Sequence, residues 1–122
     1  MFDQLKAMGA VAGLLKNKDK LRRMGEELRA TLEETVVVGE SGGGAVRVRM
    51  SGRMRVREIT IDPAVLSGLQ DEASRSQAET LVAEAINDAL QQAEQVVKRE
   101  SARAAEEAGL PPMPELERMA DS

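Results

Sequence analysis

Residues 36–63 alternate apolar and polar side chains between glycine turns, and this pattern constrains the fold more than any other part of the chain. Residues 46–50 read Val-Arg-Val-Arg-Met, the period of two expected of a strand with one buried face. The glycines at 42–44 predict one turn, and Ser51 with Gly52 predicts a two-residue hairpin turn, because glycine tolerates positive φ. Three short antiparallel strands follow from this pattern. A sheet this small is not stable alone in water, so helices, a second chain or both must cover it.

The third strand changes parity midway. Met54 and Val56 share one parity, whereas Ile59 and Ile61 share the other. A β-bulge near residues 57–58 would keep all four side chains on the core face.

Helical periodicity on both sides of the strands predicts an α+β fold. The N-terminal helix extends to about Glu34, with apolar side chains at helical spacing. A short helical turn is expected at residues 63–69. The capping-box pattern of Ser76 and Glu79 then predicts the start of a long C-terminal helix that reaches about Ala108, with Gly109 as its C-cap.

The composition limits both size and chemistry. With 122 residues and one aromatic side chain, Phe2, we expect a single domain over residues 1–108, a flexible proline-containing tail over residues 109–122, and a shallow core that favours burial between subunits. The chain has no cysteine and no histidine, which excludes disulfides and Cys- or His-based metal sites and removes the usual imidazole base. We therefore expect no cofactor. No apolar run is long enough to cross a bilayer, so we expect a soluble intracellular protein.

The formal net charge of -4 argues at first against a polyanionic partner, but its distribution is uneven. Residues 1–35 carry seven basic and six acidic side chains, and residues 36–62 carry five and three. Residues 63–122 carry five basic and twelve acidic side chains. Because the acidic excess lies in the C-terminal half, the local field of the other segments decides which partner they attract.

The order of these motifs resembles that of the YbaB/EbfC family of bacterial nucleoid-associated proteins. The matching pieces are GESG at residues 39–42, the alternating strand at 46–50, IDP at 61–63, LVAEAINDAL at 81–90 and GLPPM at 109–113. The resemblance implies a tweezer-like homodimer whose sheets form a shared body and whose helices project as arms that engage duplex DNA. It also implies a cytoplasmic, nucleoid-linked role without catalysis.

One group of candidate phosphate contacts lies on the N-terminal helix. Lys16, Lys20 and Arg23 are spaced i, i+4 and i+7 and share one face, with Arg22 nearby. Basic side chains at one-turn spacing can follow a phosphate backbone. The alternative is an ordinary solvated helix face that nearby acidic residues neutralise in part.

A second group lies near the end of the C-terminal helix, at Lys98, Arg99 and Arg103. If the helices grip DNA, these side chains would reach it, but they would also complement the helix dipole. A third group comprises five arginines of the strand segment: Arg47, Arg49, Arg53, Arg55 and Arg57. For these we favour ion pairs within the protein, including cross-strand pairs with Glu40 and Glu58, over DNA contact.

Our leading hypothesis is a non-enzymatic, nucleoid-associated homodimer that binds double-stranded DNA mainly through phosphate contacts with low sequence specificity. The alternative is a protein–protein interaction module without direct DNA binding, which the acidic C-terminal half favours. A membrane-surface role for the apolar residues 1–15 is weaker, because few positive charges accompany them. Catalysis has no support: no Gly-Lys-Ser/Thr sequence follows the glycine turn, and the paired carboxylates lie on exposed helix positions.

Overall fold

The computed structural model describes residues 2–67 and 69–109, with side chains described from residue 18 onward. The elements are α1 (Phe2–Glu34), β1 (Val36–Ser41), a 3-10 turn (Gly42–Gly44), β2 (Val46–Ser51), β3 (Val56–Ile61), α2 (Pro63–Ser67) and α3 (Glu72–Glu107). The predicted α+β element order is confirmed. The chain divides into two compact units, one formed by Ala30–Glu100 and the other by Met1–Arg29 with Ser101–Ser122. All of the predicted tail except Gly109 lies outside the described residues.

The three strands form an antiparallel sheet in the order β1-β2-β3. The register between β2 and β3 shifts between Arg49 and Met50, which pair with Glu58 and Val56. Arg57 is therefore the extra residue of a β-bulge, as the parity change predicts. The bulge places Val56, Ile59 and Ile61 on one face of the sheet, the face that also carries the buried side chains of β2.

The turn between β2 and β3 differs from the prediction. The Ser51 N–H donates to the Arg55 carbonyl (2.9 Å) and the Met54 N–H donates to the Ser51 carbonyl (2.9 Å), so the loop has three residues and not two. Met54 closes it in the left-handed conformation (φ 64) and does not join the core face. Gly52 serves close packing, because a Cβ at this position would lie 2.8 Å from the Leu32 carbonyl oxygen.

The core lies between β2 and α3 and is built from small or medium side chains: Val46, Val48, Met50, Ala85, Ala89 and Ala93. The alanine stripe lets the α3 backbone approach the sheet. At Gly39 of β1 the approach is so close that a Cβ would lie less than 3.0 Å from the backbone of both Ala85 and Ala89. On the same face of β3, Val56 and Ile59 remain 45% and 42% exposed. Helix α3 therefore covers β1 and β2 and leaves β3 open.

Helix α3 begins earlier than the capping-box pattern predicts. Its first residue is Glu72, and the Asp71 carboxylate accepts a hydrogen bond from the Ala73 N–H (3.3 Å). The prediction of a start at Ser76 is wrong, because Asp71 is an equally suitable N-cap one turn before it. The predicted C-cap is confirmed: Gly109 follows the helix with φ 75.

Candidate nucleic-acid interface

Helix α1 presents exposed cations on two of its faces. Lys20 and Arg23 are exposed and lie one turn apart, and Lys16 occupies the same face by its position in the helix. The side chain of Lys16 lies outside the described residues. Arg22 is exposed on the opposite side of α1 together with Lys18, one turn earlier. The spacing of these residues gives the helix a line of positive charge on each side of its acidic positions.

The acidic side chains of α1 do not neutralise these cations through direct contact. Asp19 and Glu27 each lie four residues from Arg23, and Glu26 lies four residues from Arg22, a spacing that allows ion pairs on a helix. No ion pair within the described residues involves Lys20, Arg22 or Arg23. Within the described part of the chain, these exposed charged groups therefore have no acidic partner.

The sheet arginines are arranged differently. Arg47 pairs with Glu40 (Nε–Oε1 3.2 Å) and Arg49 with Glu58 (Nη1–Oε2 3.9 Å), and both pairs join residues directly opposite each other on neighbouring strands. The predicted cross-strand pairing is confirmed. Because the partners are exposed, each pair contributes only about 0–1 kcal/mol to stability. Their consequence is local charge balance on this face of the sheet.

Two further arginines converge on Glu33, in the last turn of α1. Arg53 Nη1 lies 3.2 Å from one carboxylate oxygen and Arg57 Nη2 lies 3.1 Å from the other. Arg57 Nη2 also donates to the Glu33 backbone carbonyl (2.7 Å), one of the carbonyls that a helix end leaves without a helical partner. Glu33 thus joins the end of α1 to the bulge of β3, a role that the sequence analysis did not assign. Arg55 forms no ion pair with any described residue.

The candidate cations near the end of α3 also have partners. Arg99 Nε lies 3.5 Å from the carboxylate of the adjacent Glu100, and neither Lys98 nor Arg103 is without a partner. Lys98 and Arg99 belong to the unit Ala30–Glu100, whereas Arg103 belongs to the other unit. The two predicted groups look alike in sequence, but among the described residues only the α3 group is shown to have partners.

An open apolar groove of about 410 Å³ lies in the unit Ala30–Glu100, between β3, α2 and the first turns of α3. Its apolar lining comes from these three elements and from the connection between α2 and α3: Ile61, Val65, Leu66, Leu69, Ala78 and Val82. Arg75 and Glu79 stand at its rim, one helical turn apart. With the exposed Val56 and Ile59, the groove forms an uncovered apolar surface on the β3 side of the sheet.

Two features of the described residues bear on other functions. No group of three or more His, Cys, Asp or Glu side chains in that part of the chain is placed to hold a metal ion. Neither α1, α2 nor α3, within the described range, has the length and apolar character of a membrane span.

Comparisons with known proteins agree with this architecture. The chain shares 41% identity over 86 residues with a nucleoid-associated protein of Pseudomonas fluorescens, covering 70% of this chain and 76% of that protein. The crystal structure of the uncharacterized protein HP0035 from Helicobacter pylori has a similar fold, with a TM-score of 0.61, 22% identity, and coverage of 76% of this chain and 90% of that one. The model of the YbaB/EbfC DNA-binding family matches residues 8–108. The chain is a member of the YbaB/EbfC DNA-binding family.

Proposed function

We propose that the protein binds double-stranded DNA as a homodimer in the bacterial nucleoid, mainly through phosphate contacts made by α1, and that it catalyses no reaction. The observation that carries the proposal is the contrast between two sets of cations. Lys20, Arg22 and Arg23 on α1 are exposed without ion pairs among the described residues, whereas four of the five sheet arginines pair with acids of the same chain. A polyanion would meet unneutralised charge on the helix and neutralised charge on the sheet.

The proposed contact is with the DNA backbone and carries little sequence information. The side chains involved are long, exposed and flexible, and such side chains suit phosphate oxygens. Duplex is the favoured form of DNA, because single-strand binders stack bases on aromatic side chains and Phe2 is the only aromatic residue here. In the proposal, Lys16 extends the α1 contact by one turn, and Lys98, Arg99 and Arg103 make secondary contacts.

The second copy in the proposed homodimer covers the β3 side of the sheet. Three observations support this surface: α3 leaves Val56 and Ile59 of β3 exposed, the apolar groove adjoins them, and β3 is an edge strand. Arg75 and Glu79 at the rim form no ion pair within the described part of the chain. In a two-fold symmetric interface the same patch meets itself, so an ion pair between Arg75 of one copy and Glu79 of the other would form twice.

A salt titration tests the DNA-binding proposal. Fluorescence anisotropy with a labelled duplex should give an affinity that falls steeply with salt. If a dimer neutralises about five phosphates, the slope of log K against log[salt] is about -4 to -5. Two duplexes of equal length and unrelated sequence should bind with similar affinity. Absence of binding at low salt would overturn the proposal, and capture of a protein partner that persists after nuclease treatment would favour the protein–protein interaction module.

The dimer surface is tested separately. Ile59→Glu places a charge at the centre of the proposed interface and should shift the molecular mass measured by light scattering from dimer to monomer. The matched control is Val36→Glu, which makes the same change at an exposed position on the opposite edge strand. If both variants remain dimeric, the second copy binds elsewhere.

A further inference from the structure

The two edges of the sheet differ in the state of their backbone hydrogen-bonding groups. In an antiparallel pair, alternate residues bond to the neighbouring strand, and the residues between them direct N–H and C=O outward. The Gly52 N–H donates to the Thr35 carbonyl, and the alternation from that pair leaves Val36, Val38 and Glu40 of β1 facing outward. These outward groups are where an additional strand would bind.

Side chains of α3 occupy two of these groups on β1. Gln92 Nε2 donates to the Val38 carbonyl (2.7 Å), and the Glu40 N–H donates to Asp88 Oδ2 (2.9 Å). Gln92 and Asp88 also bond to each other (3.3 Å). Asp88 and Gln92 lie four residues apart on α3 and therefore contact the edge at one place. We call this pair of side chains the β1 edge cap.

Within the described residues, the β3 edge carries no equivalent of this pair. The Asp62 N–H donates to the Ala45 carbonyl, and alternation from that pair leaves Ile59 and Ile61 facing outward. Among the described residues, no side chain forms a hydrogen bond with the backbone of either. One edge of the sheet is therefore capped and the other is open.

We propose that the β1 edge cap blocks strand addition at β1 and confines association between copies of this chain to the β3 side, so that assembly stops at the dimer. This inference rests on the proposed homodimer. A β3-mediated dimer retains two β1 edges, one from each copy. Exposed strand edges are templates for pairing with another chain, and two such edges on one dimer would allow open-ended chains of dimers. The cap occupies two of the outward groups that a β1–β1 contact would use, the Val38 carbonyl and the Glu40 N–H, and it does so with side chains of the same chain.

The test removes the cap and measures assembly. Asp88→Ala/Gln92→Ala should convert the dimer into tetramers and larger species whose mean mass, by light scattering, rises with protein concentration. The matched control is Glu84→Ala/Gln91→Ala, which removes the same functional groups from exposed positions of α3 and should leave the mass unchanged. Asp88→Asn keeps a carbonyl acceptor for the Glu40 N–H and should also remain a dimer.

Hydrogen exchange at the Glu40 amide accompanies the mass measurement. Exchange should accelerate in Asp88→Ala at concentrations low enough to prevent association, and it should slow again when larger species form. If the double variant does not fold, by circular dichroism, the single variant Gln92→Ala decides. It removes the bonds from Gln92 to the Val38 carbonyl and to Asp88 and leaves the bond from the Glu40 N–H to Asp88 in place.

The proposal is overturned if the folded double variant, or Gln92→Ala in its place, keeps the mass of the wild type at every concentration. If the wild-type protein is monomeric, the proposed homodimer is refuted, but the test of the β1 edge cap can still be interpreted. In that case the variant should associate through β1 while the wild type does not.

Discussion

Substituting Gly39 with alanine should destabilise the protein strongly, although it adds a single methyl group. A Cβ at this position would lie less than 3.0 Å from the Ala85 carbonyl oxygen and the Ala89 nitrogen, and 2.7 Å from the Ala89 Cβ. The obstructing atoms belong mainly to the backbone of α3, which cannot move aside as a flexible side chain would. Restoring ordinary contact, at about 3.5–4.0 Å between carbon atoms, requires α3 to withdraw from β1 by about 1 Å.

The expected decrease in the free energy of unfolding combines two destabilising effects and one stabilising effect. Overpacking of this kind costs about 1–3 kcal/mol. Withdrawal of α3 also weakens the hydrogen bonds from Gln92 to Val38 and from Glu40 to Asp88, at about 1 kcal/mol each. Alanine reduces the conformational freedom of the unfolded chain, which stabilises the folded state by about 0.4–1 kcal/mol. The free energy of unfolding should therefore fall by about 2–4 kcal/mol.

The assay is urea unfolding followed by circular dichroism, at one protein concentration because the proposed dimer makes stability concentration-dependent. The control is the same substitution at Gly25, in the middle of α1, where a Cβ would meet nothing within 4 Å. Gly25→Ala should raise the free energy of unfolding by about 0.5–1 kcal/mol, since glycine is a poor helix former. A Gly39→Ala variant as stable as the wild type would refute the close packing of α3 on β1.

Two further predictions concern the unit Ala30–Glu100. Glu33→Ala removes the carboxylate shared by Arg53 and Arg57 and should lower the free energy of unfolding by only about 1 kcal/mol, because the ion pairs are partly exposed. The control Glu34→Ala, at the neighbouring position, should change the free energy of unfolding by less than about 0.5 kcal/mol. Equal effects of the two variants in urea unfolding would contradict the assigned pairing. Ser51→Ala removes a fully buried hydroxyl that has no hydrogen-bond partner among the described residues, so it should stabilise the protein by up to about 1 kcal/mol. A thermal midpoint lower than that of the wild type would show that this hydroxyl is hydrogen-bonded.

Local periodicity predicts the elements of this fold well, because the signals lie within each element. The alternation in β2 and the parity change in β3 predict the strands and the bulge at Arg57. The predicted start of α3 is wrong because two capping residues, Asp71 and Ser76, compete within two turns. The prediction of a two-residue hairpin turn is wrong because Gly52 is required for close approach to Leu32, a contact between distant parts of the chain.

The candidate site is harder to predict, because it depends on which charges are already paired. Sequence spacing treats Lys20 and Arg23 of α1 like Arg99 of α3, since both helices carry acids nearby. Only side-chain geometry distinguishes them: Arg99 reaches a carboxylate, whereas Lys20 and Arg23 reach none among the described residues. The β1 edge cap could not be predicted from the sequence, for a related reason. Its bonds join residues 48 and 54 positions apart, and nothing local signals them.

In the proposed mode of binding, DNA contacts cations of α1 and not those of the sheet. The most direct measurement compares the salt dependence of duplex binding for Lys20→Ala/Arg23→Ala and for Arg47→Ala/Arg49→Ala, which change the net charge equally. The helix variant removes four cations from a dimer, so the slope of log K against log[salt] should become shallower by up to about 3.6, at about 0.9 for each lost phosphate contact. The sheet variant should keep the wild-type slope. Equal slopes for the two variants, or a loss confined to the sheet variant, would contradict the account.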